Sequence, residues 1–257
     1  MKMTTSMRNL WLTLMWAALG TLALSGCVNS HDSGSETTAA QGSGAEDADD
    51  HDNDSDASNG NHAINGSLHV SAGKPGGEVS TINGSIRADD NAQLSGGHTV
   101  NGNISLGEHA TATSLTSVNG GISLGEGAKV SETVTTVNGT LALRPGSQVG
   151  GRLANVNGTI IIVAATVNGG ISTVNGNIDV GANSHVQGGI NVHKPSTGFF
   201  HWWSDSDKPR VVVGPGAVVE GELKFDRAVR LYVSDTATIG QVTGATPVKF
   251  SGPQPPG

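Results

Sequence analysis

Apolar and polar residues alternate along most of the chain in short stretches that recur at a nearly fixed distance. The tripeptide Ile-Asn-Gly or Val-Asn-Gly recurs with a period of 18 or 19 in sequence number, beginning at Ile64, Ile82, Val100, Val118, Val137, Val156 and Val174. Apolar residues lie four and six positions after each start, and the residue between them is mostly polar. This period of two predicts a short β-strand with one buried face in every repeat.

Several repeats carry two further apolar residues, 12 and 16 positions after the start, as at Val130 and Val134. Because Gly, Pro and Asn separate these short strands, they cannot pair within one repeat. They can pair with the same strand one repeat later, which winds the chain into parallel sheets. We therefore predict an all-β fold, a parallel β-helix over residues 62–250, with about eight turns and a partial ninth.

The composition agrees with a thin core. Glycine accounts for 38 of 257 residues, and aromatic residues for only 4%. A compact globule or a helical bundle needs bulkier side chains to fill its interior. A narrow solenoid does not, because the inside of each turn is filled by Val, Ile, Leu and Ala.

The Asn-Gly pair predicts a corner, because Gly adopts positive φ at little cost and Asn tolerates the left-handed region. Stacked turns would place the Asn side chains above one another, each donating to one neighbour and accepting from the other. We predict a structural ladder, directed into the fold, formed by Asn65, Asn83, Asn101, Asn119, Asn138, Asn157 and Asn175. The alternative is a repeated array of ligand-binding groups on the surface.

The repeat is interrupted after Val192, which occupies the next motif start, with His193 and Lys194 in place of Asn and Gly. We predict an insertion over residues 193–210, after which the repeat resumes. Four aromatic residues in the insertion form a candidate binding loop for a glycan, a partner protein or the bilayer interface: Phe199, Phe200, Trp202 and Trp203. The alternative is a loop that covers the solenoid. The Pro- and Gly-rich residues 251–257 predict a disordered tail.

The beginning of the chain resembles a bacterial lipoprotein signal peptide. Lys2 and Arg8 precede the apolar run from Leu10 to Leu24, which ends in Leu24-Ser25-Gly26-Cys27. The resemblance implies removal of residues 1–26 and lipid attachment at Cys27, the only cysteine. Because the residue after Cys27 is Val28 and not Asp, the resemblance also implies that the protein is anchored in the outer membrane. It does not distinguish the periplasmic side from the cell surface. The alternative is an ordinary secretory signal with a chance cysteine.

Residues 27–61 predict a disordered acidic tether, because residues 28–61 contain nine acidic residues, no Lys or Arg, and one large apolar residue. The run from Asp50 to Asp56 lacks the Gly and Glu that a calcium-binding EF-hand loop requires, so we predict no metal site. Residues 62–257 hold 13 acidic and 12 basic residues. This near-neutral balance gives no basic surface for nucleic acid.

The sequence contains no motif for a catalytic nucleophile, a zinc site, a nucleotide or a dinucleotide. Asp89 and Asp90 form the best carboxylate pair, and we interpret them as a solvated turn. We predict a protein that is not an enzyme and needs no cofactor. A solenoid enzyme acting on envelope polysaccharide is the third alternative.

The repeated Val-Asn-Gly-x-Ile turns, followed by the run from Val211 to Leu223, resemble the bactofilin family over residues 64–245. This resemblance implies a right-handed β-helix that polymerises end to end without nucleotide, although an 18-residue period also suits a left-handed helix. The lipoprotein signal departs from the family. The turns also resemble adhesin-like solenoids.

We expect a membrane-anchored scaffold for self-association or envelope binding. The alternative is a carbohydrate-binding or adhesive module that acts through the aromatic loop.

Overall fold

The computed structural model describes residues 55–56, 62–73, 75–195 and 208–255. These residues form twenty-five strands and no helix. In chain order the strands are β1 Ser55–Asp56, β2 His62–Asn65, β3 Leu68–Val70, β4 Pro75–Asn83, β5 Ile86–Ala88, β6 Gln93–Asn101, β7 Ile104–Leu106, β8 Thr111–Asn119, β9 Ile122–Leu124, β10 Lys129–Val130, β11 Val134–Leu143, β12 Gln148–Val149, β13 Leu153–Ile162, β14 Thr166–Val167, β15 Ile171–Thr173, β16 Asn177–Val180, β17 His185–Val186, β18 Ile190–Val192, β19 Arg210–Val213, β20 Val218–Val219, β21 Leu223–Phe225, β22 Arg230–Ser234, β23 Thr238–Ile239, β24 Val242–Thr243 and β25 Val248–Phe250.

The strands stack in parallel as a β-solenoid with three faces. The first face consists of β3, β5, β7, β9, the ends of β11 and β13, β16, β19, β22 and β25. The second face consists of the beginnings of β4, β6 and β8, then β10, β12, β14, β17, β20 and β23. The third face consists of β2, the ends of β4, β6 and β8, the beginnings of β11 and β13, β15, β18, β21 and β24. The solenoid has about ten turns, not the predicted eight to nine.

The core consists of inward-facing aliphatic columns, one residue from each turn. Along the first face the column is Leu68, Ile86, Ile104, Ile122, Leu141, Ile160, Ile178, Val211 and Leu231, and every member is at most 2% exposed. Val130 and Val134, predicted as inward residues of the other two faces, are also buried. The period-two interpretation and the β-helix prediction are confirmed. Each apolar side chain so buried stabilises the fold by roughly 1.5–3 kcal/mol.

The corner between the first and second faces has its own column of residues with positive φ. It consists of Gly73, Asn91, His109, Gly127, Gly146, Ala164, Asn183 and Gly216. From Asn91 onwards, a buried Ala or Ser follows each of them: Ala92, Ala110, Ala128, Ser147, Ala165, Ser184 and Ala217. At these turns the chain therefore passes the corner with one left-handed residue and then, from Asn91 onwards, places a small side chain inside.

Short parts of the predicted tether and of the predicted tail belong to the described residues. β1 lies within the predicted tether and pairs in parallel with β3, so that Ser55 and Asp56 lie opposite Leu68 and His69. The rest of the predicted tether and the signal peptide lie outside the described residues. Of the predicted tail, residues 251–255 are described, and they form bends without a strand.

Candidate functional site

The seven predicted asparagines form one continuous column at the Asn-Gly corner, which we define as the corner between the third and first faces. Six hydrogen bonds of 2.9–3.0 Å connect them, and in each the side-chain Nδ2 donates to Oδ1 of the asparagine one turn earlier. The backbone pairing aligns the same residues, as in Asn101 opposite Asn83 and Asn119. All donors point the same way, so the amides polarise one another along the column.

The predicted inward direction of this column is wrong, because its side chains lie on the outer surface. The inner side of this corner is occupied by the residue two positions before each asparagine, such as the fully buried Ser117. A Cβ at Gly120 would lie 1.8 Å from the carbonyl oxygen of Gly102, so consecutive turns approach too closely for a side chain. Among the corner glycines of the seven motifs, only Gly66 and Gly158 have positive φ. Glycine is therefore needed mainly for close stacking, not for a left-handed backbone.

A second polar column lies inside the same corner, and sequence reasoning missed it. The residue before each of the last six motif starts is small, polar and nearly fully buried: Thr81, Thr99, Ser117, Thr136, Asn155 and Thr173. The first five donate to a corner glycine carbonyl of the preceding turn at 2.8–3.2 Å. The signal was present in the sequence as Ser, Thr or Asn directly before Ile/Val-Asn-Gly.

The insertion leaves the solenoid at this corner. Val192 lies opposite Thr173 in the pairing of β15 with β18 and is fully buried, so it is an inward residue and not the predicted motif start. The backbone N–H of His193 donates to the carbonyl oxygen of Thr173 at 2.8 Å. His193 Nδ1 lies 3.3 Å from Asp226 Oδ2, on the next turn.

The chain re-enters the solenoid through Arg210. Its backbone N–H donates to Asn177 Oδ1 at 2.8 Å, and its guanidinium carbon lies 5.5 Å from the ring centre of Tyr232. The backbone N–H of Arg230 donates to the carbonyl oxygen of Pro209 at 2.9 Å. Both ends of the insertion are therefore bonded to the turn before and to the turn after.

Arg227 terminates the asparagine column. Its Nη1 donates to Asn175 Oδ1, the last amide oxygen of the column, and to the carbonyl oxygen of Val174 at 3.0 Å. Arginine suits this position, because it carries several N–H donors and remains charged.

Asp179 lies on the outer side of the first face near the re-entry point, between Ile161 and Val212 in the pairing. Asp179 keeps an exposed surface, and the partial burial of its carboxyl group raises the pKa of that group, with the opposing attraction of Arg210 as the smaller effect. The ionised form therefore destabilises the fold above that raised pKa, and protonation as the pH falls removes the penalty.

Histidine–carboxylate pairs connect turns elsewhere. His69 Nε2 lies 2.7 Å from Asp89 Oδ1, and His185 Nε2 lies 2.7 Å from Glu220 Oε1. Asp90 Oδ1 accepts from the backbone N–H of Glu108 at 2.7 Å, so both members of the Asp89–Asp90 pair make structural contacts. The described part of the chain contains no group of three or more His, Cys, Asp or Glu residues able to hold a metal ion.

The other predicted site residues, Cys27 and the aromatic residues Phe199, Phe200, Trp202 and Trp203, lie outside the described residues. Within the described part, no helix has the length and apolar character needed to cross a membrane. Comparison with protein-family models, curated proteins and solved structures gives no match. The bactofilin resemblance therefore stays a prediction.

Proposed function

We propose that this protein is a non-enzymatic lipoprotein of the bacterial envelope, anchored through Cys27, whose solenoid presents the insertion 193–210 to an envelope glycan. One observation carries the proposal. Paired first-face residues in the earlier turns differ by 18 or 19 in sequence number, whereas Ile178 and Val211, which pair directly, differ by 33. The pairing continues without a gap from β15 through β18 to β21. The solenoid thus accommodates the extra chain segment with its register intact.

Insertions in solenoids generally form loops on one face, and such loops often carry the binding function. The sequence of this insertion adds two features of binding surfaces. It concentrates Phe and Trp, which dominate the energy of many interfaces, and it intersperses them with Lys, Asp and His. A flat aromatic ring beside hydrogen-bonding side chains suits a sugar, which has both apolar C–H faces and hydroxyl groups.

The ends of the solenoid favour envelope binding over end-to-end self-association. At the last turn, Lys249 lies opposite the buried Val233, at an inward register position, and it is exposed. Pro253 and Pro255 lie three and five positions after the end of the last strand. At the first turn, β1 already pairs with β3. Inward-pointing charges, prolines and covered strand edges are features by which natural sheets avoid edge-to-edge pairing.

The test compares full-length chains in bacterial cells: the natural protein, Cys27→Ser, Trp202→Ala/Trp203→Ala, and Val248→Ala. The last removes an exposed apolar side chain outside the insertion and is the matched control. Metabolic labelling with a lipid and membrane fractionation measure the anchor. Sedimentation with purified peptidoglycan sacculi and a glycan array measure binding.

We expect Cys27→Ser to lose lipid labelling, because serine has no thiol to acylate. The double tryptophan variant should bind at least about thirtyfold more weakly, since the loss of even one hot-spot residue of about 2 kcal/mol weakens binding by that factor. Val248→Ala should bind as the natural protein does. Full lipid labelling of Cys27→Ser refutes the anchor, and unchanged glycan binding by the tryptophan variant refutes the role of the insertion.

A further inference from the structure

Arg227 occupies the same column as the asparagines. Thr173, Val192 and Phe225 lie opposite one another on three consecutive turns. Asn175, Lys194 and Arg227 each follow one of these residues by two positions, so they occupy equivalent positions on the three turns. Lys194 therefore takes the position of the next asparagine, but there the chain turns away into the insertion. The column lacks one amide, at the turn where the insertion begins.

The side chain of Arg227 bridges this gap. It passes the turn of Lys194 and donates to Asn175 Oδ1 and to the carbonyl oxygen of Val174, two turns back. Two strand spacings amount to about 10 Å, a distance that needs a long side chain. The guanidinium thus supplies to Asn175 the donor that an asparagine at position 194 would have supplied.

The neighbouring residue holds the insertion itself. Asp226 Oδ2 lies 3.3 Å from His193 Nδ1, and the backbone N–H of Asp226 donates to the carbonyl oxygen of Val192 at 2.8 Å. One dipeptide, Asp226-Arg227, therefore contacts both the first residue of the insertion and the turn beneath it. These contacts lie on both sides of the point where the chain leaves the corner.

We propose that Arg227 is the positioning residue of the insertion. By bonding the turns before and after the exit point to each other, it fixes the backbone of His193, Lys194 and Pro195. The effect of this positioning on binding rests on the proposed function. A fixed exit pre-organises the insertion and strengthens its binding to an envelope glycan, because less conformational freedom is lost on binding.

Hydrogen exchange measured by mass spectrometry on the full-length protein tests the proposal. The variants are Arg227→Ala, Arg227→Lys, and Arg144→Ala as the matched control, since Arg144 is an exposed arginine several turns away. Loss of hydrogen bonds from a charged donor should speed exchange about tenfold or more in peptides covering 171–176 and 190–195. Peptides covering residues 86–124 should be unchanged. Arg227→Lys, which keeps the length and the charge, should restore part of the protection.

Uniformly faster exchange in all peptides, or none, overturns the positioning role. If Arg227→Ala does not fold, the test rests on Arg227→Lys, which should then show faster exchange only in the peptides covering 171–176 and 190–195.

Binding to peptidoglycan sacculi distinguishes the positioning role of Arg227 from the proposed function. Locally faster exchange with weaker binding supports both. Locally faster exchange with no binding by any chain, the natural one included, overturns only the proposed function. Locally faster exchange with unchanged binding overturns the consequence for affinity.

Discussion

The turns before the insertion and those after it have the same core and different outer corners. The turns within 62–192 keep a nearly constant length and carry the asparagine column together with the buried Ser/Thr/Asn column. The chain over 210–250 contains no Asn-Gly pair, and its turns are unequal: the first-face pairing connects Val211 to Leu231 over a longer turn, and Tyr232 to Val248 over a shorter one. Nevertheless Val211, Val213 and Leu231 are as deeply buried as any residue of the earlier turns.

The inward aliphatic columns are therefore the common basis of the fold, while the corners can be connected in more than one way. In the earlier turns, neutral amides form a repeated ladder. Near the insertion and beyond it, individual contacts of Asp226, Arg227 and Arg210 replace that ladder. A ladder needs the same residue at every turn, whereas an arginine reaches across a turn that lacks it.

The largest effect should come from charging the core in either region. Ile122→Asp and Leu231→Asp each place an unpaired carboxylate at a core position that is 1% exposed. We expect each to lower the free energy of unfolding by several kcal/mol, measured by thermal and urea melts. Ser123→Asp, on the outward side of the same strand, should cost less than about 1 kcal/mol. A mild effect of Leu231→Asp beside a severe effect of Ile122→Asp would show that the two regions do not share one core.

An intermediate effect should come from interrupting the asparagine column. Asn119→Asp removes the Nδ2 that donates to Asn101 and leaves oxygen atoms facing each other, so we expect a loss of about 1–3 kcal/mol in urea unfolding. Asn168→Asp is the matched control, since Asn168 is exposed and precedes a glycine on another corner. It should change stability by at most about 0.5 kcal/mol. Equal losses in the two variants would mean that the column is not a stabilising network.

The smallest effect should come from the left-handed corner column, which runs through both regions. Ala164 has φ +45°, a conformation that costs an L-residue roughly 1–2 kcal/mol. Substitution by glycine removes this cost, but the greater freedom of glycine in the unfolded chain offsets part of the gain. We expect Ala164→Gly to stabilise the fold by about 0.5 kcal/mol, measured by urea unfolding.

The reverse change should act in the opposite direction. Gly146 has φ +72°, and a Cβ there would meet backbone only at 3.5 Å and beyond, so Gly146→Ala tests the backbone conformation alone. We expect a loss of about 1 kcal/mol, read as a lower Tm. A rise in Tm for Gly146→Ala, or a fall for Ala164→Gly, would contradict the left-handed assignment of this corner.

The solenoid, the strand faces and the core columns could all be predicted from the sequence, because alternation within a strand and an 18-residue period are visible in the residues themselves. Ile122 and its counterparts were identified as inward residues from this pattern alone. The stacking of the asparagines also followed from their period.

The direction of the corner side chains, in contrast, depends on how neighbouring turns pack against each other. Ser117 and not Asn119 faces inward, where Ser117 donates to the carbonyl of Gly102 one turn earlier, a contact between turns that no local pattern contains. The same holds for Val192, which lies one position before the expected motif start because its turn gains one residue at the corner between Val180 and His185. The contact of Arg227 with Asn175 joins residues 52 positions apart, and it exists because the missing corner leaves a gap that this side chain can span. Periodicity describes what every turn repeats, and the exceptions are determined by packing against the neighbouring turns.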